Sequence, residues 1–129
     1  MRRLDVAVAG AGPGGLAAAL ALHRQGHTVT VFEKFERARP LGSGLILQPT
    51  GLAVLDWLGL GSDIRQLGAR IDKLTGTAIT TGKTVLDVRY EVLGPERGCA
   101  VHRAALFNVL FHAVESAGIS IETSQQIDG

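Results

Sequence analysis

A cluster of glycines near the N-terminus constrains the fold of this chain more than any other feature. It reads Gly10-Ala11-Gly12-Pro13-Gly14-Gly15 and matches the pattern G-x-G-x-x-G. An apolar run, Leu4 to Ala9, precedes it, and an alanine- and leucine-rich segment, Pro13 to Gln25, follows it. The first is typical of a buried parallel strand and the second of a helix. A glycine-rich turn between them is typical of the start of a βαβ unit.

The rest of the chain predicts two more parallel strands and a hairpin. Thr28 to Phe32 is β-branched and apolar, and predicts the second strand. Arg103 to Ala117 predicts an amphipathic helix, and Ile119 to Thr123 predicts the third strand. Between them, Ile71 to Thr80 and Thr84 to Arg89 predict a hairpin. The predicted fold class is therefore α/β: a Rossmann-like βαβ domain with three parallel strands, an incomplete sheet and a small β-hairpin excursion.

Composition excludes several classes of protein. Hydrophobic residues make up 46% of the chain and charged residues 19%, which is typical of a folded domain. The net charge of +1 gives no electrostatic reason to expect nucleic acid or an anionic membrane as a partner. The single cysteine, Cys99, excludes an internal disulfide, and the four histidines lack the spacing of metal ligands. No apolar segment reaches the ~20 residues of a membrane span, and we expect a cytoplasmic protein.

The glycines of the first turn suit a dinucleotide site. Gly10 permits the tight turn, Gly12 lets a pyrophosphate approach the backbone, and Gly15 lets the helix pack closely on the strand. The N-terminus of the following helix offers unsatisfied N–H groups and a partial positive charge to an anion. Pro13 fits the first helical turn, where its missing N–H is no loss.

Glu33 closes the second strand and supplies the acidic residue that such a site requires. It follows the motif at about the distance of the carboxylate that accepts hydrogen bonds from ribose hydroxyls. Its charge would repel a 2′-phosphate, which argues against NADP as the bound dinucleotide. As a strand-end carboxylate, Glu33 is not expected to belong to the core. From these residues alone, both NAD and FAD remain possible.

Three stretches together resemble a known family. They are Val6 to Lys34, the glycine-rich stretch Leu41-Gly42-Ser43-Gly44-Leu45-Ile46-Leu47-Gln48-Pro49-Thr50-Gly51, and Val101-His102-Arg103-Ala104-Ala105-Leu106. The chain resembles the N-terminal part of the FAD-dependent aromatic hydroxylases, the family of para-hydroxybenzoate hydroxylase, salicylate hydroxylase and kynurenine monooxygenase. The resemblance implies bound FAD, NAD(P)H as reductant, and O2 as co-substrate for hydroxylating a small, usually aromatic, substrate. It names no catalytic residue in this chain.

The resemblance also implies which residues hold the cofactor. Arg103 has a physical reason of its own, because a cation in the first turn of a helix opposes the macrodipole and is better tolerated beside an anion. The resemblance implies that Gly12, Pro13, Gly14 and Gly15 hold the pyrophosphate, in the cofactor-binding turn that Gly10 permits. Glu33 would bind the adenosine ribose, with Lys34 beside it, and Gly44 would lie near the ribityl chain and the flavin. Arg103 would contact the phosphate or ribityl region, and the main chain of Ile127 would contact adenine.

The resemblance implies a domain arrangement as well. Three parallel strands are fewer than the five or six usual in a doubly wound sheet. We therefore expect residues 1–129 to be the N-terminal part of an FAD-binding domain, with residues 69–100 a β-rich excursion toward a substrate domain and the rest of both domains absent. The chain alone is not expected to turn over substrate. Two alternatives stay open: another FAD- or NAD-dependent oxidoreductase, such as a reductase, dehydrogenase or halogenase, or a nucleotide-binding module without turnover.

Overall fold

The computed structural model describes residues 2–39 and 42–128. The chain forms two compact units, Met1–Ser43 with Arg103–Gly129, and Gly44–His102. In chain order the elements are β1 (Asp5–Ala9), α1 (Pro13–Arg24), β2 (Thr28–Phe32), β3 (Gly44–Leu47), α2 (Pro49–Trp57), α3 (Gly61–Leu67), β4 (Ala69–Ile71), β5 (Lys73–Thr77), β6 (Thr84–Arg89), α4 (Tyr90–Leu93), β7 (Gly98–His102), α5 (Arg103–Ser116) and β8 (Ser120–Glu122).

The first unit is a three-stranded parallel sheet with two helices. The strand order is β1-β2-β8, with Val6 opposite Val29 and Val31 opposite Ile121. Val29 and Val31 lie on the same face of β2 and are buried, and α1 packs against this strand and against α5. The order is that of the first three strands of a doubly wound sheet. The predicted α/β fold class is confirmed, and the predicted strands and helices of this unit are present with ends shifted by at most two residues.

The turn between β1 and α1 depends on two glycines for different reasons. Gly10 has φ +99°, a region that residues with a side chain rarely adopt. Its N–H donates to the carbonyl of Phe32 at 2.7 Å, which ties the turn to the end of β2. A Cβ on Gly15 would overlap the carbonyl oxygen of Gly10. The first turn of α1 therefore sits directly on the strand, and no larger residue fits at Gly15 without moving the backbone.

The second unit has an antiparallel sheet of order β3-β7-β4, the three helices α2, α3 and α4, and the hairpin β5–β6. Tyr90 is completely buried, and its hydroxyl donates to Oε1 of Gln48 at 2.8 Å. Its ring lies 3.0 Å from where a Cβ on Gly98 would be, so the core closes around this ring. Cys99 on β7 is buried, and burial raises the pKa of its thiol.

The sequence prediction differs from this unit in three places. No strand was predicted in the glycine-rich stretch from Leu41 to Gly51, yet β3 lies within it. The strand expected over Ile71 to Thr80 corresponds to β5, which pairs with β6. The preceding β4, which ends at Ile71 and pairs with β7, was not expected. Neither β7 nor the short α4 was predicted. Strands of three to five residues show little hydrophobic periodicity, and whether such short segments become strands depends on pairing with segments that are distant in sequence. The predicted hairpin is confirmed, with Gly82 at φ +68° in its turn.

Candidate dinucleotide-binding site

A cavity of about 340 Å³ opens in the first unit at the carboxyl ends of β1 and β2. Ligands of open α/β sheets bind outside these strand ends. The cavity is lined by Ala9, Gly10, Ala11, Gly12, Pro13, Phe32, Glu33, Lys34, Phe35, Arg39, Arg103, Phe107, Gln125, Gln126 and Ile127.

The N-terminus of α1 forms one wall of the cavity, and backbone N–H groups of its first turn have no intrahelical acceptor. Gly12 is the N-cap residue, no side chain caps the helix, and its first turn holds no acidic residue. The first intrahelical bond runs from the N–H of Leu16 to the carbonyl of Gly12 at 2.9 Å, so the N–H groups of Gly14 and Gly15 have no intrahelical acceptor. A Cβ on Gly12 would meet no atom within 4 Å. This wall presents open space, free N–H groups and a positive dipole end, which together suit an anion.

Glu33 lies at the base of the cavity and is only 7% exposed. Its Oε2 accepts from the N–H of Ala11 at 2.8 Å, and its Oε1 accepts from the N–H of Phe35 at 3.1 Å. The expectation that this carboxylate lies outside the core was therefore wrong, because two backbone groups replace the water it gives up. Each carboxylate oxygen has a second lone pair, so ribose hydroxyls could still donate to it.

Three cations face this single carboxylate. Lys34, Arg39 and Arg103 all line the cavity, and none of them forms an ion pair within residues 2–39 and 42–128. The N–H of Arg103 donates to the carbonyl of Ser43 at 2.9 Å. A Cβ on Gly42 would lie 3.3 Å from Cδ of Arg103, so this side chain packs along the glycine. The excess of positive charge favours a ligand with at least two negative charges.

Two exposed apolar side chains complete the cavity. Phe35 is 38% exposed, with Lys34 Nζ 4.9 Å and Arg39 Cζ 5.9 Å from its ring centroid. Ile127 is 54% exposed. The carbonyl of Phe35 accepts from the N–H of Ser124 at 3.0 Å, which fixes the segment leading to Ile127. Flat apolar surface of this kind can accept a planar base.

The sequence prediction named about half of the residues that line the cavity. It named Gly10, Gly12, Pro13, Glu33, Lys34, Arg103 and Ile127, and the structure brings all of these together. Gly14 and Gly15 belong to the helix that borders it. It did not name the other eight lining residues, which are Ala9, Ala11, Phe32, Phe35, Arg39, Phe107, Gln125 and Gln126. Most of them lie at or after a strand end, and Phe107 lies on α5, one turn after Arg103.

Gly44 lies in the second unit. It is the first residue of β3, opposite His102, and lines a cavity of that unit with Leu45 and Val101 among others. Of the glycine-rich stretch that carried the resemblance, Leu41 lies outside the described residues.

Fold and cavity define a dinucleotide-binding domain of the Rossmann-like class. Residues 3–129 match the sequence model of the family described as "FAD binding domain". The chain belongs to that family, as the three stretches predicted. Within the described residues, no group of three or more His, Cys, Asp or Glu side chains could hold a metal ion, and no helix there has the length and apolarity to cross a bilayer.

Similar proteins of known activity are oxygenases and hydroxylases. The chain is 33% identical over 128 residues to 3-hydroxybenzoate 6-hydroxylase 1 of Aquipseudomonas alcaligenes, covering 95% of this chain and 32% of that protein. Among solved structures, 2-methyl-3-hydroxypyridine-5-carboxylic acid oxygenase in its tetrameric form matches with a TM-score of 0.79 at 28% identity, covering 95% of this chain and 31% of that one. CtdE in complex with FAD matches with a TM-score of 0.70 at 26% identity, covering 97% and 31%. The chain spans about a third of the length of these proteins.

Proposed function

We propose that this chain is the FAD-binding part of a flavin-dependent monooxygenase that uses NAD(P)H and O2 to hydroxylate a small aromatic substrate. The observation that carries the proposal is the cavity beside the uncapped N-terminus of α1, with three cations and one buried carboxylate around it. The substrate class rests on the similar proteins, since 3-hydroxybenzoate and the hydroxypyridine carboxylic acid are both aromatic. The cytoplasmic location stays a prediction.

The residues present fit FAD. When bound, the flavin supplies the redox chemistry, and the protein supplies position and electrostatics. The free N–H groups of Gly14 and Gly15 and the open space at Gly12 would hold the pyrophosphate, with Gly10 and Pro13 shaping the turn. Glu33, with Lys34 beside it, would accept from the adenosine ribose. The remaining contacts in the proposal are the phosphate or ribityl region at Arg103, adenine at Phe35 and the main chain of Ile127, and the ribityl chain near Gly44.

The hairpin supports the proposed excursion of residues 69–100 toward a substrate domain. The register places Leu74 opposite Val88 and Gly76 opposite Leu86, so these apolar residues share one face. Leu86 is nevertheless 46% exposed. A two-stranded hairpin is marginal in water and gains stability by packing its apolar face. In the proposed parent protein, that face would pack against the substrate domain.

Titration of the chain with nucleotides tests the cofactor assignment. FAD and ADP are expected to bind at one site and to compete, because both carry the adenosine and the diphosphate that the cavity would hold. FMN, which lacks both, is expected not to compete. Binding of NAD in preference to FAD would overturn the assignment. For the activity, the longer parent protein should consume O2 and oxidise NAD(P)H faster with an aromatic acid present, and no stimulation across a broad panel would overturn it.

Replacing Arg103 tests its proposed contact with phosphate. Arg103→Ala is expected to weaken FAD binding by about ten- to a hundredfold, because charge-assisted hydrogen bonds contribute about 1.5–3 kcal/mol. The loss should be larger at low salt, where the attraction is least screened. Arg103→Lys should recover only part of it, since lysine lacks the planar fork. The control is Lys83→Ala, which removes one positive charge at the hairpin turn, outside the cavity lining. Equal FAD affinity in Arg103→Ala and in this control would exclude the contact.

A further inference from the structure

We propose that Glu33 is a positioning residue for the phosphate-binding turn, in addition to its part in binding ribose. This inference rests on the proposed function, and it concerns a different part of the same ligand. Through its hydrogen bond to Ala11, the Glu33 side chain holds the turn that would receive the pyrophosphate. Glu33 is therefore expected to matter even for a ligand that has no ribose.

The contact between Glu33 and the turn joins residues that are far apart in sequence. Oε2 of Glu33 accepts from the N–H of Ala11 at 2.8 Å, and both residues are buried. The neighbouring N–H, that of Gly10, donates to the carbonyl of Phe32 at 2.7 Å. Two consecutive N–H groups of the turn are thus fixed to the end of β2. A turn with glycine on either side of Ala11 has little conformational restraint of its own, so these two bonds set its orientation.

The same residue also joins the other walls of the cavity, through its side chain and its main-chain carbonyl. Oε1 of Glu33 accepts from the N–H of Phe35 at 3.1 Å, and the Glu33 carbonyl accepts from the N–H of Gln125 at 2.9 Å. A carboxylate can accept from both Ala11 and Phe35, because both of its oxygens are acceptors. A glutamine has one acceptor oxygen and an NH2 group that would face one of the two N–H donors. In one orientation of the amide, Glu33→Gln releases the turn. In the other it releases the Phe35 N–H and holds the turn only through a neutral oxygen, a weaker acceptor than the carboxylate, so the turn is held less firmly in both.

Binding of inorganic pyrophosphate distinguishes the positioning role from ribose binding, because the two roles predict opposite effects of Glu33→Gln on pyrophosphate affinity. If Glu33 only binds ribose, its charge merely repels pyrophosphate, and Glu33→Gln should bind pyrophosphate equally well or more tightly. If Glu33 positions the turn, Glu33→Gln should bind pyrophosphate about three- to tenfold more weakly, the effect of one lost hydrogen bond. The titration of the 129-residue chain with pyrophosphate would be followed by NMR, through the amide signals of Gly12, Gly14 and Gly15.

The control variant is Glu36→Gln, which makes the same change of charge at an exposed residue that does not line this cavity. It should bind pyrophosphate at least as tightly as the unchanged chain. Unchanged or tighter binding in Glu33→Gln would overturn the positioning role while leaving the FAD assignment intact. Failure of the unchanged chain to bind ADP would instead overturn the proposed function.

Hydrogen exchange in the unchanged chain tests the inference without any variant that has to fold. The Ala11 amide is expected to exchange much more slowly than the Gly12 amide, which has no acceptor among residues 2–39 and 42–128. Exchange of the Ala11 amide at the rate of an unprotected amide would show that Glu33 does not hold the turn, and would overturn the proposal.

Discussion

A Gly12→Val variant is expected to fold as the unchanged chain does and to bind FAD at least about a hundredfold more weakly, a loss of about 2.7 kcal/mol. Gly12 has φ −76° and ψ 171°, an extended conformation that valine adopts readily. A Cβ there meets no atom within 4 Å, so the folded chain has room for the side chain. That room belongs to the cavity, where the proposed pyrophosphate would have to approach the backbone.

The measurement pairs an FAD titration with thermal unfolding of the same samples. The free energy of unfolding should fall by about 1 kcal/mol, because valine is a poorer N-cap residue than glycine. Gly12→Ala, with a single methyl group, should show an intermediate loss of affinity and serves as the graded control. Wild-type FAD affinity in Gly12→Val would refute the proposed position of the pyrophosphate.

Gly15→Ala is expected to damage the fold itself and to lower the free energy of unfolding by about 3 kcal/mol, at the upper end of the range for overpacked sites. The added Cβ would overlap the carbonyl oxygen of Gly10 and come within 3.5 Å of Cγ1 of Val8. The Gly10 oxygen is a backbone atom, and it cannot move aside without a shift of the whole turn. The helix would have to shift away from β1, and FAD binding should fall with it.

Gly14→Ala is the matched control for this second prediction, since it adds the same methyl group one residue earlier. A Cβ on Gly14 meets no atom within 4 Å, and alanine favours a helix by about 1 kcal/mol over glycine. Thermal or denaturant unfolding should show Gly14→Ala at least as stable as the unchanged chain. The melting temperature of Gly15→Ala should lie roughly 10 °C below that of the unchanged chain, given the usual shift in melting temperature per kcal/mol for domains of this size. Equal stability of the two variants would contradict the close packing of α1 on β1.

The sequence assigned different roles to the two glycines, but it provided no physical measure of either role in this chain. Both belong to the same motif, and the motif alone assigns each a role by analogy with other dinucleotide sites. The structure separates them by what an added Cβ would meet, which is backbone at Gly15 and open cavity at Gly12. Glu33 shows the same limit. Its place at the end of a strand was visible, whereas its burial and its bond to Ala11 depend on a turn 22 residues away.

The sequence by itself determined the first unit. Its strands are continuous apolar runs, its helices are long enough to show their period, and its turn contains the glycines that a tight βα connection requires. These signals are local, so they can be recognised in the sequence without knowing which segments pack against each other. The stretches beginning at Leu41 and Val101 also carried enough of the family pattern to predict the FAD binding domain family, to which the chain belongs.

Only the tertiary structure decided the second unit and the full wall of the cavity. β3 and β4 each pair with β7, which is far from both in sequence, and this pairing makes all three of them strands. Each strand is too short to show a hydrophobic period in the sequence. Phe35, Arg39 and Gln125 line the cavity because chain segments far apart in sequence converge there, at the carboxyl ends of β1 and β2. Such contacts depend on where the chain returns in space, and that is a property of the whole packed unit, which no short stretch of sequence carries.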